Sequence, residues 1–159
     1  MAELLTIYAN QKKYYQEMQT KVKDTGATVE NLVYLNIARA MFSWIKDTIQ
    51  QVKSKKVPQT IATEIQVIRL GEIAIANIPG EVLVNIGLKI KAQSPAKLTF
   101  FCGFTNGDIG YIPDEDAFKS GGYETHEAPK YYGQPPFQPQ VGSMVINTAT
   151  ALLHQIFKH

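Results

Sequence analysis

Apolar residues recur at helical spacing along residues 3–23, where Leu4, Leu5, Tyr8, Tyr15 and Met18 form a loose stripe and Glu17 stands four residues before Lys21. The mixture of polar and aromatic side chains predicts a helix that lies on something larger. Lys23 to Ala27 read as a turn, and Thr28 is placed to cap a second helix running to about Lys53. Leu32, Leu35, Ile37, Ala40, Met41, Trp44, Ile45, Ile49 and Val52 give that helix a broad buried side. Val57-Pro58 stops it, because proline lacks the amide hydrogen a helix uses and disfavours helical geometry in the residue before it.

Beyond the proline the apolar period shortens. Ile61, residues 64–70 and residues 73–76 alternate or cluster as strands, and Gly71-Glu72 between them predicts a tight hairpin. Ile65, Val67 and Arg69 then share one face, and Ile68 and Leu70 the other, a pattern that favours helices over both faces. Residues 82–92 leave two readings open. Val82, Val84, Ile86, Leu88 and Ile90 alternate, while Leu83, Ile86 and Ile90 also make a helical stripe that Gly87 weakens. Ser94-Pro95 ends that segment, and residues 98–104 read as a buried strand whose glycine-rich continuation lies where a rigid strand end meets a loop. Pro113 to Phe118 start a short helix with acids near its positive end, interrupted by Gly121-Gly122. Residues 128–141 imply a long loop packed by its aromatics, and Gly142-Ser143 leads into a last helix, Met144 to Ile156. The expected fold class is α/β, a mixed or antiparallel sheet covered by helices.

A length of 159 residues suits one domain, and 45% hydrophobic with 19% charged residues suits a globular chain. The formal charge of +2 is too small to indicate a polyanionic partner. The basic runs at Lys12-Lys13 and Lys53 to Lys56 are separate and share no recognition motif, so no nucleic-acid partner is expected. Cys102, the one cysteine, excludes an intrachain disulfide and a thiolate metal cluster. The start of the chain lacks the features of a secretory leader, and no run approaches about 18 uninterrupted apolar residues, so no transmembrane segment is expected.

Candidate chemistry gathers at three places. Glu81 follows Pro79-Gly80 at an element junction, where proline restricts the approach and glycine permits sharp curvature, so the turn can aim a carboxylate into a cleft. A carboxylate that satisfies free amides at a helix start is the plainer alternative. Asn106-Gly107-Asp108 can be explained by turn hydrogen bonds alone. Tyr111 carries a phenol able to bind substrate, stabilise an oxyanion or, when ionised, ligate a hard metal. His126, His154 and His159 are widely separated and make no zinc-ligand spacing, and neither Ser94 nor Ser120 sits in a nucleophile turn.

Taken in order, Arg69-Leu70-Gly71 through Ile78-Pro79-Gly80-Glu81, the tract from Gly103 to Tyr111, and Gly121-Gly122-Tyr123-Glu124 resemble the neutral/alkaline, non-lysosomal ceramidase family over roughly residues 60–157. That family is one of zinc-dependent amidases that cleave ceramide into a sphingoid base and a fatty acid. The resemblance implies Glu81 as a zinc ligand and Tyr111 as a zinc ligand or active-site tyrosine. It further implies Asn106 as a catalytic, orienting residue and Tyr123 and Asp108 as residues of the substrate rim. Asp108 departs from the aromatic residue often found there, which widens the implied substrate from ceramide to another lipid amide or a non-lipid amide.

The family also draws zinc ligands from upstream histidines, and no histidine precedes His126 here. The expectation is therefore the C-terminal portion of a larger layered hydrolase domain, with zinc held only in the complete site. Its missing N-terminal catalytic portion, or self-association across the interface left open, supplies the expected partner. A self-contained domain that keeps binding or structural use without zinc chemistry is the alternative. The compartment stays open, a secreted or periplasmic parent protein included.

Overall fold

The computed structural model describes residues 1–158, and His159 lies outside the described residues. The chain divides into two compact units, residues 1–59 with 133–135, and residues 60–132 with 136–159.

The first unit is built on two long helices, α1 (Ala2–Thr25) and α2 (Val29–Ser54), which pack against each other. Thr28 caps α2, its hydroxyl accepting from Asn31 N at 3.2 Å. Asn31 is itself buried and ties the turn together, its Nδ2 donating to Thr25 Oγ1 and Gly26 O at 3.0 Å each. Ala38, Met41, Ile45 and Ile49 make the buried stripe of α2, and Phe42 packs on Tyr8 and Tyr15 of α1. The buried side is narrower than its pattern suggests, since Leu32 and Val52 are exposed. Glu17 pairs back to Lys13 at 3.9 Å, while the ammonium of Lys21 lies over the Tyr34 ring. The helix ends at Ser54, before the proline, because Lys55 takes the left-handed conformation that turns the chain out of it.

The second unit is α/β. Strands β1 (Gln66–Leu70), β2 (Ile73–Asn77) and β4 (Leu98–Cys102) form a mixed sheet in the order β1-β2-β4, the first pair antiparallel and the second parallel. Ile61 stays outside the strands. The ambiguous segment resolves into a two-residue strand β3 (Glu81–Val82) and a helix α3 (Val84–Gln93). The helical stripe wins because Ile86 and Ile90 bury completely, and Gly87 is tolerated because a Cβ there would press on the Phe101 ring at 3.1 Å. The segment after Gly122 is more ordered than a loop. A π-helical turn over Tyr123–Glu127 runs into a short helix α5 (Ala128–Tyr131). The last helix, α6 (Val141–Ile156), begins three residues earlier than its apolar stripe indicates, and Gly142 within it passes close to the Pro113 carbonyl oxygen.

One face of the sheet carries the core. Ala74 and Ala76 of β2 pack with Ile86 and Ile90 of α3 and with Val145, Ile146, Ala149 and Leu153 of α6, and Val67 and Phe101 border them. The expectation that both faces are covered is not met. Ile68, Leu70, Leu98 and Phe100, all on the opposite face by register, are exposed. Strand β5 (Tyr111–Ile112) pairs in parallel with β3 and leads into α4 (Glu115–Ser120). Among the described residues no helix is long and apolar enough to cross a membrane.

Asp114 joins these parts. Its buried carboxylate accepts from Ala117 N at the start of α4 and from Asn85 Nδ2 of α3, both at 2.8 Å. These hydrogen bonds, the Ala117 amide foremost, hold its carboxyl below the usual range. Replacing Asp114 by Ala is expected to cost about 1 to 2 kcal/mol at neutral pH. Because the folded carboxyl titrates below its unfolded value, that contribution is present above the unfolded pKa and is lost as pH falls through the folded one. Denaturant unfolding of both proteins across acid pH checks this: the two stabilities should converge as the carboxyl protonates.

Candidate functional site

The turn that carries Glu81 is held by backbone on several sides. Ile78 N donates to Cys102 O at 2.9 Å, Phe104 N to Gly80 O at 3.1 Å and Ile109 N to Pro79 O at 3.0 Å. Glu81 N then donates to Gly110 O at 2.9 Å and Leu83 N to Ile112 O at 3.2 Å, which joins β3 to β5 with Glu81 directly opposite Tyr111. Residue 80 is glycine because the approach is too close for anything larger: a Cβ there would lie 2.8 Å from the Gly110 carbonyl oxygen. Adjacent parallel partners share a face of a ladder, so this register alone sets the carboxylate beside the phenol.

Two phenols converge on that carboxylate. Tyr132 donates its hydroxyl to Glu81 Oε1 at 2.6 Å, with a longer contact of 3.4 Å to Asp108 Oδ2. Tyr111 stands beside the same Glu81 side chain, paired with it across the β3–β5 ladder. Gly110 makes room for the second phenol, since at φ +86° it takes a conformation disfavoured for other residues, and a Cβ there would stand 3.0 Å from the Tyr132 ring. Asp108 Oδ1 accepts from Gly110 N at 2.9 Å and so closes the loop that presents Tyr111. Tyr123 meets Tyr111 edge to face with ring centroids 5.8 Å apart, and Tyr131 lies 6.3 Å beyond it.

These contacts set the protonation states. The Tyr111 hydroxyl is pushed up to about 12, first by the acceptor side chain of Glu81 beside it, then by burial and by the charges of Glu81 and Glu124. Tyr132 is raised as well, for the same leading reason, with the charge of Asp108 adding to it. At neutral pH both phenols therefore keep their protons, and Tyr132 donates its own to Glu81.

The structure thus brings together Glu81, Tyr111, Asp108 and Tyr123. Asn106 is placed differently: it is exposed, adopts a left-handed backbone at φ 61°, and its Nδ2 donates to Gln66 Oε1 of β1 at 3.3 Å. His126 sits in the π-helical turn with Nδ1 2.6 Å from Thr125 Oγ1, and His154 is exposed on α6. Tyr132 is the member of the cluster that sequence reasoning missed. Fifty-one positions separate it from Glu81, and Tyr131-Tyr132-Gly133 read as loop aromatics with no local pattern to mark one phenol.

The donor set does not fit a zinc ion by itself. Zinc in an enzyme needs three protein ligands, commonly histidine nitrogens with a carboxylate, and among the described residues no group of three or more His, Cys, Asp or Glu is placed to hold a metal. Glu81 Oε1 already accepts the Tyr132 hydroxyl, and both phenols stay neutral far above physiological pH.

No family model and no curated protein matches this chain. Among solved structures, the crystal structure of neutral ceramidase from Pseudomonas aeruginosa aligns with 57% of this chain at 18% identity and a TM-score of 0.42. The aligned part is 15% of that chain, so the similarity is distant and partial.

Spectrophotometric titration of the eight tyrosines should resolve a late-titrating group, Tyr111 among them near pH 12, that shifts towards the ordinary value of 10.0 in Glu81→Ala. A phenol whose folded pKa is raised contributes stability that is present below its unfolded pKa and lost as pH rises through the folded one. Alkaline unfolding between about pH 10 and 12 should accordingly be steeper for the parent chain than for Glu81→Ala.

Proposed function

We propose that this chain is by itself a noncatalytic binding α/β domain, and that its Glu81–Tyr111 pair is one half of a zinc-dependent amide hydrolase centre whose substrate is ceramide or a similar lipid amide. The observation that carries the reading is the β3–β5 register, which sets Glu81 directly opposite Tyr111 although thirty positions separate them. These are the two residues that the ordered ceramidase-like motifs single out, and an unrelated helix-and-sheet module has no reason to bring them together.

The noncatalytic half of the reading rests on the donor set. With Glu81 accepting from Tyr132 and flanked by the neutral Tyr111, the cluster offers hydrogen bonds and an aromatic rim of Tyr123 and Tyr131, and lacks the imidazoles that an amidase of this kind needs. Within this chain Glu81 accepts the Tyr132 hydroxyl and stands beside Tyr111. Asp108 and Tyr123 would border a bound amide, with Asn106 at the outer edge beside β1. A partner segment bringing nitrogen donors would have to displace the Tyr132 hydroxyl from Glu81 before a metal could take its place.

Calorimetric zinc titration of the metal-free folded chain, paired with Glu81→Ala, tests the proposal. The expected outcome is no one-to-one binding tighter than about 10 µM in either protein, with no release of fatty acid from a short-chain ceramide. Tight stoichiometric binding that Glu81→Ala abolishes would show a complete centre and overturn the noncatalytic reading.

A further inference from the structure

The uncovered face of the three-stranded sheet is ordered as a grid. By register, Ile68, Ile75 and Phe100 form one row across β1, β2 and β4, and Leu70, Ile73 and Leu98 form the next. Gln66, Asn77 and Cys102 complete a third row, so nine consecutive positions carry six large apolar side chains and no charge. The outer four are open, at 39% for Ile68, 59% for Leu70, 49% for Leu98 and 51% for Phe100. Their counterparts on the opposite face, Ala74, Ala76 and Thr99, are buried.

We infer that this face is a self-association surface, on which the same face of a second copy of the chain packs sheet against sheet. Three observations select that occupant. The four exposed side chains alone present on the order of 400 Å² of apolar surface, about half of what one partner gives to an ordinary stable interface, and the two central isoleucines and the flanking main chain add to it. A two-fold contact requires a patch that tolerates itself, and a patch without charge sets no like charges against each other. At one end of the patch the charges cancel as well: Lys97 and Glu72, beside the Leu70–Ile73–Leu98 row, are paired at 3.2 Å. A face without basic side chains offers little to an anionic lipid surface or an acidic peptide, whereas flat apolar strand arrays interdigitate about 10 Å apart. The inference uses none of the residues around Glu81, so it stands or falls separately from the proposed function.

Sedimentation velocity of the full chain from about 5 to 500 µM should show a reversible monomer–dimer equilibrium. Phe100→Glu and Leu70→Glu should each weaken it at least tenfold, while Met144→Glu and Leu88→Glu, on exposed positions of α6 and α3, leave it unchanged. Hydrogen exchange of the unsubstituted chain at the two ends of that range needs no folded variant, and it should show amides of residues 66–70 and 98–102 protected by concentration. A monomer throughout, a dimer that resists both glutamates, or concentration-dependent protection confined to other segments would each overturn the proposal.

Discussion

The amides of Glu81 and Leu83 donate to the carbonyls of Gly110 and Ile112, and these two bonds set the geometry on which the rest of the second unit depends. They are possible only because residue 80 has no side chain, since a Cβ would meet the Gly110 oxygen. The bonds from Ile78, Phe104 and Ile109 leave the turn little freedom, and the carboxylate it carries is aimed by main chain. The ladder then does two things: it places Glu81 beside Tyr111, and it delivers the chain to Asp114, whose carboxylate starts α4 and anchors Asn85 of α3.

The carboxylate at that position is not a helix cap. Glu81 lies in β3, ahead of α3, and its side chain accepts the hydroxyl of Tyr132 with Tyr111 opposite it in the ladder. Beside that carboxylate the Tyr111 and Tyr132 hydroxyls are both raised above their ordinary pKa. The result is a cluster in which the neutral Tyr132 phenol takes a position on Glu81 that an external ligand would otherwise fill. Any ligand must compete with a 2.6 Å bond from Tyr132 that Gly110 leaves room for.

The sheet is asymmetric for a related reason of packing. Small residues, Ala74 and Ala76, line the face where α3 and α6 approach, so the helices come close and bury Ile86, Ile90 and Leu153 completely. Large residues line the other face, which holds rows of apolar side chains with no helix of this unit on them. The hydrophobic effect leaves such a face under a driving force to be covered, and a uniform uncharged surface matches a copy of itself.

Much of the fold was legible along the chain. The stripe of α2 and its Thr28 cap, the β1–β2 hairpin around Gly71-Glu72 and the apolar face of α6 are local patterns, written in residues a few positions apart. The motifs around Glu81 and Tyr111 were legible in the same way, because a close main-chain approach demands glycine in sequence. Other features depended on distant parts. Whether residues 84–93 are helix or strand was decided by burial of Ile86 and Ile90 against α6, and the open sheet face by where the helices ended up. The partnership of Tyr132 with Glu81 has no local signature at all, since a hydroxyl and a carboxylate fifty-one positions apart meet only when the chain has closed around Gly80 and Gly110. Short-range propensity and periodicity chose the elements, and long-range packing chose which side chains share a space, because contact between distant residues is a property of the closed chain.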